Sequence, residues 1–113
     1  MMKIKSYQKD GIPTVNPEDI LSISSYQIID VRMPEEFTGE LGHIENAQLV
    51  TQGPELEIFL NKNNKTNPLI FVCRSGARSG KATLAAQQAG YSEVYNMDGG
   101  MLKWNALELP IKK

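Results

Sequence analysis

Short apolar runs punctuate this chain, and polar, helix-friendly stretches separate them. Residues 12–15, 26–31, 47–50, 69–72 and 94–97 are each four to six residues long and mostly apolar, as short buried strands are. Asn16-Pro17-Glu18-Asp19 joins an N-cap residue, a proline at the first helical position and acids in the first turn, which predicts a helix from 17 to 22 or 23. Pro54 opens an amphipathic helix carrying Leu56, Phe59 and Leu60, closed by the turn-rich residues 61–67. Residues 79–89 are rich in Ala and Gln and stop at Gly90, so they predict a strong helix. Asp98-Gly99-Gly100 reads as a tight turn leading into a last helix through Trp104. Residues 32–42 carry Pro34 and two glycines, and predict a loop with one helical turn over 34–37. Residues 1–11 read as a lightly ordered lead-in.

Strands that alternate with helices, with no tight hairpin signal between them, predict βαβ units. The expected fold class is α/β, a parallel sheet with helices on both faces. One domain over 12–113 fits the length of 113 residues. In open α/β sheets the ligand site lies beyond the carboxyl ends of the strands. Cys73, the segment Asp30-Val31-Arg32 and the turn Asp98-Gly99-Gly100 all follow strands, so three distant loops are expected to meet at one edge.

Composition narrows the function classes. An apolar fraction of 41% and a charged fraction of 22% describe an ordinary globular chain. A net charge of −1 gives no reason to expect nucleic acid or a membrane surface as partner. The polar N-terminus has no apolar signal core, and a lone cysteine suits a reducing compartment, so a cytoplasmic location is expected. The distribution of arginine says more than its number. There are three, Arg32, Arg74 and Arg78, and two of them lie in the Cys73 loop. Arginine is the better residue for planar, multi-point recognition of an oxyanion.

Cys73 is the only cysteine, so no disulfide can form within the chain. It follows the apolar run 69–72 and opens the loop Cys73-Arg74-Ser75-Gly76-Ala77-Arg78, with Ser79 leading into the helix. Such a loop can aim several backbone N–H groups at one atom, and the helix N-terminus adds a positive field. Gly76 permits backbone angles closed to other residues, while Ser75 and Ala77 are small enough for the loop to curl around a sulfur. A buried inert thiol needs none of these features; a reactive thiolate does.

The loop Cys73 to Ser79 resembles the active-site loop of the rhodanese family of sulfurtransferases. Ile29-Asp30-Val31-Arg32 with Pro34, Glu36 and Phe37 resembles the family's first signature. Gly42-His43-Ile44 with Ala47 resembles the segment after it. Residues 94–97 with Gly99, Gly100 and Trp104 resemble its C-terminal signature. The likeness runs from about residue 13 to 108, with the motifs in the family's order. It implies a single rhodanese-like domain with a five-stranded parallel sheet. It also implies a sulfurtransferase in which Cys73 attacks the outer sulfur of a small anionic donor such as thiosulfate and carries it as a persulfide. Arg74, Ser75, Gly76, Ala77, Arg78 and Ser79 then bind the substrate and stabilise the persulfide, with Arg74 and Arg78 holding the donor's sulfonate. No cofactor and no metal are implied. Cyanide is the usual test acceptor, and a thiol such as that of thioredoxin is a plausible physiological one.

Two alternatives share the fold. One is a sulfur carrier or interaction module loaded by a protein donor. The other is a phosphatase or arsenate reductase, but those loops have five residues between cysteine and arginine, whereas four separate Cys73 from Arg78 here. The smaller cradle favours sulfur over phosphate. Asp30 and Arg32 are expected to support the site as a structural ion pair. His43, the only histidine, is expected to pack in the scaffold, and Asn46 to tolerate a left-handed turn where relatives carry glycine. The segment 51–60 is not diagnostic of the family.

Overall fold

A computed structural model describes residues 4–113. Its elements follow the chain as β1 (Ser6–Lys9), β2 (Ile12–Val15), α1 (Pro17–Ile20), β3 (Gln27–Asp30), α2 (Pro34–Phe37), β4 (Gln48–Leu49), α3 (Pro54–Lys62), β5 (Leu69–Val72), α4 (Ala77–Gln88), β6 (Val94–Met97) and α5 (Gly100–Ala106). The sheet order is β1-β2-β6-β5-β3-β4. Every pairing is parallel except β1 with β2. The fold is thus the expected α/β arrangement, with one correction. The sheet has six strands and is mixed, not five and purely parallel.

The extra strand lies in the segment read as a lead-in. Lys9 pairs with Ile12, leaving the two-residue loop Asp10-Gly11. Both loop residues have positive φ, 53° and 76°. That is the backbone of a two-residue hairpin turn, and Asp-Gly is a favoured sequence for it. The strand is exposed along its whole length, so it carries no apolar run to betray it. Residues 1–3 of the expected lead-in lie outside the described residues.

Side chains alternate across the sheet and divide the core in two. Leu69, Phe71 and Cys73 face a cluster with Leu56 and Leu60 of α3 and Ala82 and Ala86 of α4. Ile70 and Val72 face a cluster with Ile20 of α1 and Met101 and Trp104 of α5. All four residues of β5 are fully buried between these layers. Central strands of this kind are hydrophobic without interruption, which is why β5 was so legible. Helix α4 begins at Ala77, two residues before the expected start. Among the described residues, no helix is long and apolar enough to cross a membrane.

Candidate active site

Cys73 is the first residue beyond the central strand, and its side chain is 1% exposed. The chain then turns through Gly76, whose φ of 102° is left-handed and strained for any residue with a side chain. That turn brings the Gly76 N–H to 3.1 Å from Cys73 Sγ, and the Ser79 hydroxyl to 3.2 Å. Burial alone pushes the thiol pKa up. The Ser79 hydroxyl and the backbone N–H groups of Ser79, Gly76 and Ser75 outweigh it, and the net shift is downward from the ordinary 9.0. The twelve-residue helix α4 adds its N-terminal field to the same atom. The thiolate is therefore favoured over that of an ordinary cysteine, which is the form that attacks and that binds soft electrophiles.

Two elements lock the loop from outside. Asn96 of β6 donates through Nδ2 to the Gly76 carbonyl at 3.0 Å, while its Oδ1 meets Ser79 Oγ. The first turn of α5 caps the loop carbonyls: Met101 N donates to Cys73 O at 2.8 Å and Leu102 N to Arg74 O at 3.0 Å. Gly100 makes that approach possible. A Cβ there would sit 2.5 Å from the carbonyl carbon and oxygen of Arg74 and 2.6 Å from Cys73 O. Sequence reasoning treated Gly99-Gly100 as a turn and overlooked Asn96. A polar Asn in an otherwise apolar, fully buried strand was the available signal.

The expected arginines have different situations. Arg74 is exposed, and among the described residues it has no ion-pair partner. Arg78 is held by Glu36 through two parallel contacts, Nη1 to Oε1 and Nη2 to Oε2, each 2.8 Å. The Arg78 guanidinium holds the Glu36 carboxyl down to about 2 against desolvation. Ser75 and Ala77 are exposed on the loop's outer side, and Ser79 is fully buried.

Asp30 and Arg32 form a buried pair, at 0% and 1% exposure. Arg32 Nε and Nη2 lie 2.9 and 2.8 Å from the two Asp30 oxygens. The remaining Arg32 donors reach the carbonyls of Gly42 and Glu36 at 2.7 and 3.2 Å. Arg32 thus ties the 33–42 segment to the end of β3 at Glu36 and at Gly42, and it holds the backbone of the residue that clamps Arg78. His43 packs in the same scaffold. Its ring stacks on Phe37 with centroids 3.7 Å apart, and Nδ1 lies 2.8 Å from the Phe37 carbonyl. A carbonyl can only accept, so Nδ1 carries the proton. Asn46 has φ 72°, the left-handed turn expected of it.

Comparison with known proteins agrees with this geometry. The rhodanese-like domain model matches residues 18–107. Thiosulfate sulfurtransferase 18 of Arabidopsis thaliana is 37% identical over 101 residues, covering 78% of this chain and 73% of the relative. The Bacillus subtilis (strain 168) protein YqhL, itself uncharacterised, is 33% identical over 99 residues, with coverage of 87% and 76%. The crystal structure of a rhodanese-like domain protein from Staphylococcus aureus superposes with a TM-score of 0.73 at 30% identity, covering 88% of this chain and 98% of that one. A cradled cysteine at the end of a central parallel strand, a family match over most of the chain and these relatives converge: the chain belongs to the rhodanese-like domain family.

Proposed function

We propose that this protein is a sulfurtransferase that carries a sulfane sulfur on Cys73. The observation that supports it most directly is the cradle: N–H and O–H donors converge on one buried sulfur whose thiolate they favour. The Cys73 thiolate attacks the outer sulfur of a donor such as thiosulfate. A new S–S bond forms, the donor's S–S bond breaks, and sulfite leaves with the electron pair. The persulfide anion then occupies the same donors. A thiophilic acceptor, cyanide in the test tube or a thiol such as that of thioredoxin in the cell, takes the outer sulfur and returns the thiolate. The relay needs one cysteine and no cofactor. The exposed Arg74 is suited to meet an anionic donor at the mouth.

Two features favour sulfur over phosphate. Four residues separate Cys73 from Arg78, one fewer than in phosphatase-type loops on this fold. Arg78, whose charge a phosphate ester would need, is engaged with Glu36. A lone thiolate-stabilised cysteine also suits a reducing compartment, for which the cytoplasm is the simplest reading. To test the function, the protein is incubated with thiosulfate and its mass measured. One added sulfur on Cys73, lost on treatment with cyanide, is the expected result. A folded protein that never gains the sulfur from thiosulfate or from a persulfide donor would refute the reading.

A further inference from the structure

The two-pronged contact between Glu36 and Arg78 bears on which sulfur donors the site accepts. Arg78 sits on the Cys73 loop, near enough to the sulfur for a thiolate there to raise the guanidinium pKa. Each of its two terminal nitrogens already gives one N–H to the Glu36 carboxylate, which offsets its charge. Glu36 is itself fixed at both levels. Its carbonyl accepts from Arg32, and its Oε1 also accepts from Met33 N at 3.0 Å. The surroundings deepen the effect. A groove of about 240 Å³ beside the loop carries Glu35, Glu36 and Glu40 against Arg74, while the charge of Arg32 is consumed by Asp30. On the other flank, Lys9 and Lys81 share a groove with Asp10 and Asp98, and Lys9 is paired with Asp98. Among the described residues, Arg74 and Lys81 are the cations of these two grooves without an ion-pair partner, and each shares its groove with carboxylates.

We infer that Glu36 is a specificity-determining residue that sets the site's charge preference, disfavouring dianionic donors such as thiosulfate relative to singly charged sulfane donors. The inference rests on the sulfurtransferase reading and deepens it. A dianion costs more to desolvate than a monoanion and gains more from a second cation, and of the two arginines on the Cys73 loop Arg74 is open while Glu36 withholds Arg78. A monoanionic donor, such as an alkyl persulfide or a thiosulfonate, makes no second demand. In the transfer from a thiosulfonate, Cys73 takes the outer sulfur, the donor's S–S bond breaks, and a sulfinate leaves with the electron pair.

Methanethiosulfonate and thiosulfate are a suitable pair of probes, because a methyl group replaces one charged oxygen at nearly constant size. Steady-state thiocyanate formation is measured with each donor for the unaltered protein and for Glu36→Gln. Glutamine still accepts the Met33 hydrogen bond, so the start of α2 is retained. The expected result is a rise in kcat/KM for thiosulfate about tenfold larger than for methanethiosulfonate, carried by KM, the scale of one charge-assisted contact released at a partly exposed site. The double variant Glu36→Gln/Arg78→Gln, which replaces the ion pair by two neutral amides, is expected to lose that gain. Equal changes for the two donors, or a gain that survives in the double variant, would overturn the inference and leave the sulfurtransferase reading standing. Failure of both donors to load Cys73 in the folded, unaltered protein would instead remove the reading on which it rests.

Discussion

Ser79 holds the Cys73 sulfur with a proton that it must share. Its hydroxyl oxygen lies 3.2 Å from Cys73 Sγ and 2.5 Å from Asn96 Oδ1. A hydroxyl has one proton, so it cannot donate to both. Asn96 is oriented by the hydrogen bond from its Nδ2 to the Gly76 carbonyl, which leaves its oxygen facing Ser79. When Cys73 is a thiol, its S–H can donate to Ser79, which in turn donates to Asn96. When Cys73 is a thiolate, the hydroxyl proton turns to the sulfur. Ionisation therefore exchanges two neutral hydrogen bonds for one charge-assisted bond to the sulfur, and together with the backbone N–H groups that bond favours the thiolate.

Replacing Ser79 by alanine removes that exchange. The backbone donors remain, but burial goes on pushing the thiol up. The midpoint of Cys73 alkylation by iodoacetamide should move to higher pH, and the rate at neutral pH should fall about three- to tenfold. The unaltered protein should alkylate with a midpoint below 9.0, losing reactivity as the pH falls through it. An unchanged midpoint in Ser79→Ala would mean that the hydroxyl does not act on the sulfur.

The parts of this site that sequence reasoning reached and missed differ in a physical way. Cys73, its glycine and its arginines share one unbroken stretch, 73–78, and a short loop after a buried strand can be read directly. Asp30 and Arg32 are two residues apart, and a strand end with alternating sides places such residues together, as their ion pair shows. Glu36 and Asn96 act on the loop from 42 and 17 residues away, and Gly100 from a different element again, through contacts that exist only once the sheet is assembled. Strand β1 escaped for another reason. It buries nothing, and Asp10-Gly11 was a hairpin signal that the apolar pattern did not single out.

Gly100 supports the loop by being small. Its φ is 59°, and an added Cβ would collide with backbone atoms of Arg74 and Cys73 at 2.5 to 2.6 Å, which cannot swing aside as a side chain can. Gly100→Ala should therefore cost about 2–3 kcal/mol in urea unfolding, through positive-φ strain and overpacking together. The same variant should load sulfur more slowly, since α5 can no longer cap the carbonyls of Cys73 and Arg74 at their present distances. A loss below about 0.5 kcal/mol would show that the two segments separate easily.

The Glu36–Arg78 pair also has a pH signature. The Glu36 carboxyl is held at about 2 in the folded protein, below its ordinary 4.5. A depressed carboxyl stabilises the fold above its unfolded value, and the contribution is lost as the pH falls through the folded one. The stability difference between the unaltered protein and Glu36→Gln should be constant above about pH 5 and should shrink from there toward pH 2. Its size should be about 1 kcal/mol or less, because the side chains are 28% and 39% exposed and solvent screens them. A difference that grew on acidification would contradict the pairing.

Asp30 and Arg32 provide the test that separates scaffold from chemistry. Both are fully buried, and Arg32 makes its contacts to Asp30, Gly42 and Glu36 rather than to Cys73. Asp30→Asn would leave a buried guanidinium without its counter-charge, which costs about 3–5 kcal/mol. Asp30→Leu/Arg32→Met removes both charges and should recover a substantial part of that loss, since two apolar side chains need no partner. What it cannot restore is the tether from Arg32 to the Glu36 carbonyl, 3.2 Å long in the present fold. The double variant should therefore fold, keep the alkylation midpoint of Cys73, and bind anionic donors less selectively as Glu36 loosens from Arg78. A displaced midpoint in that folded variant would place the buried pair in direct electrical contact with the thiolate, and its role would then be chemical as well as structural.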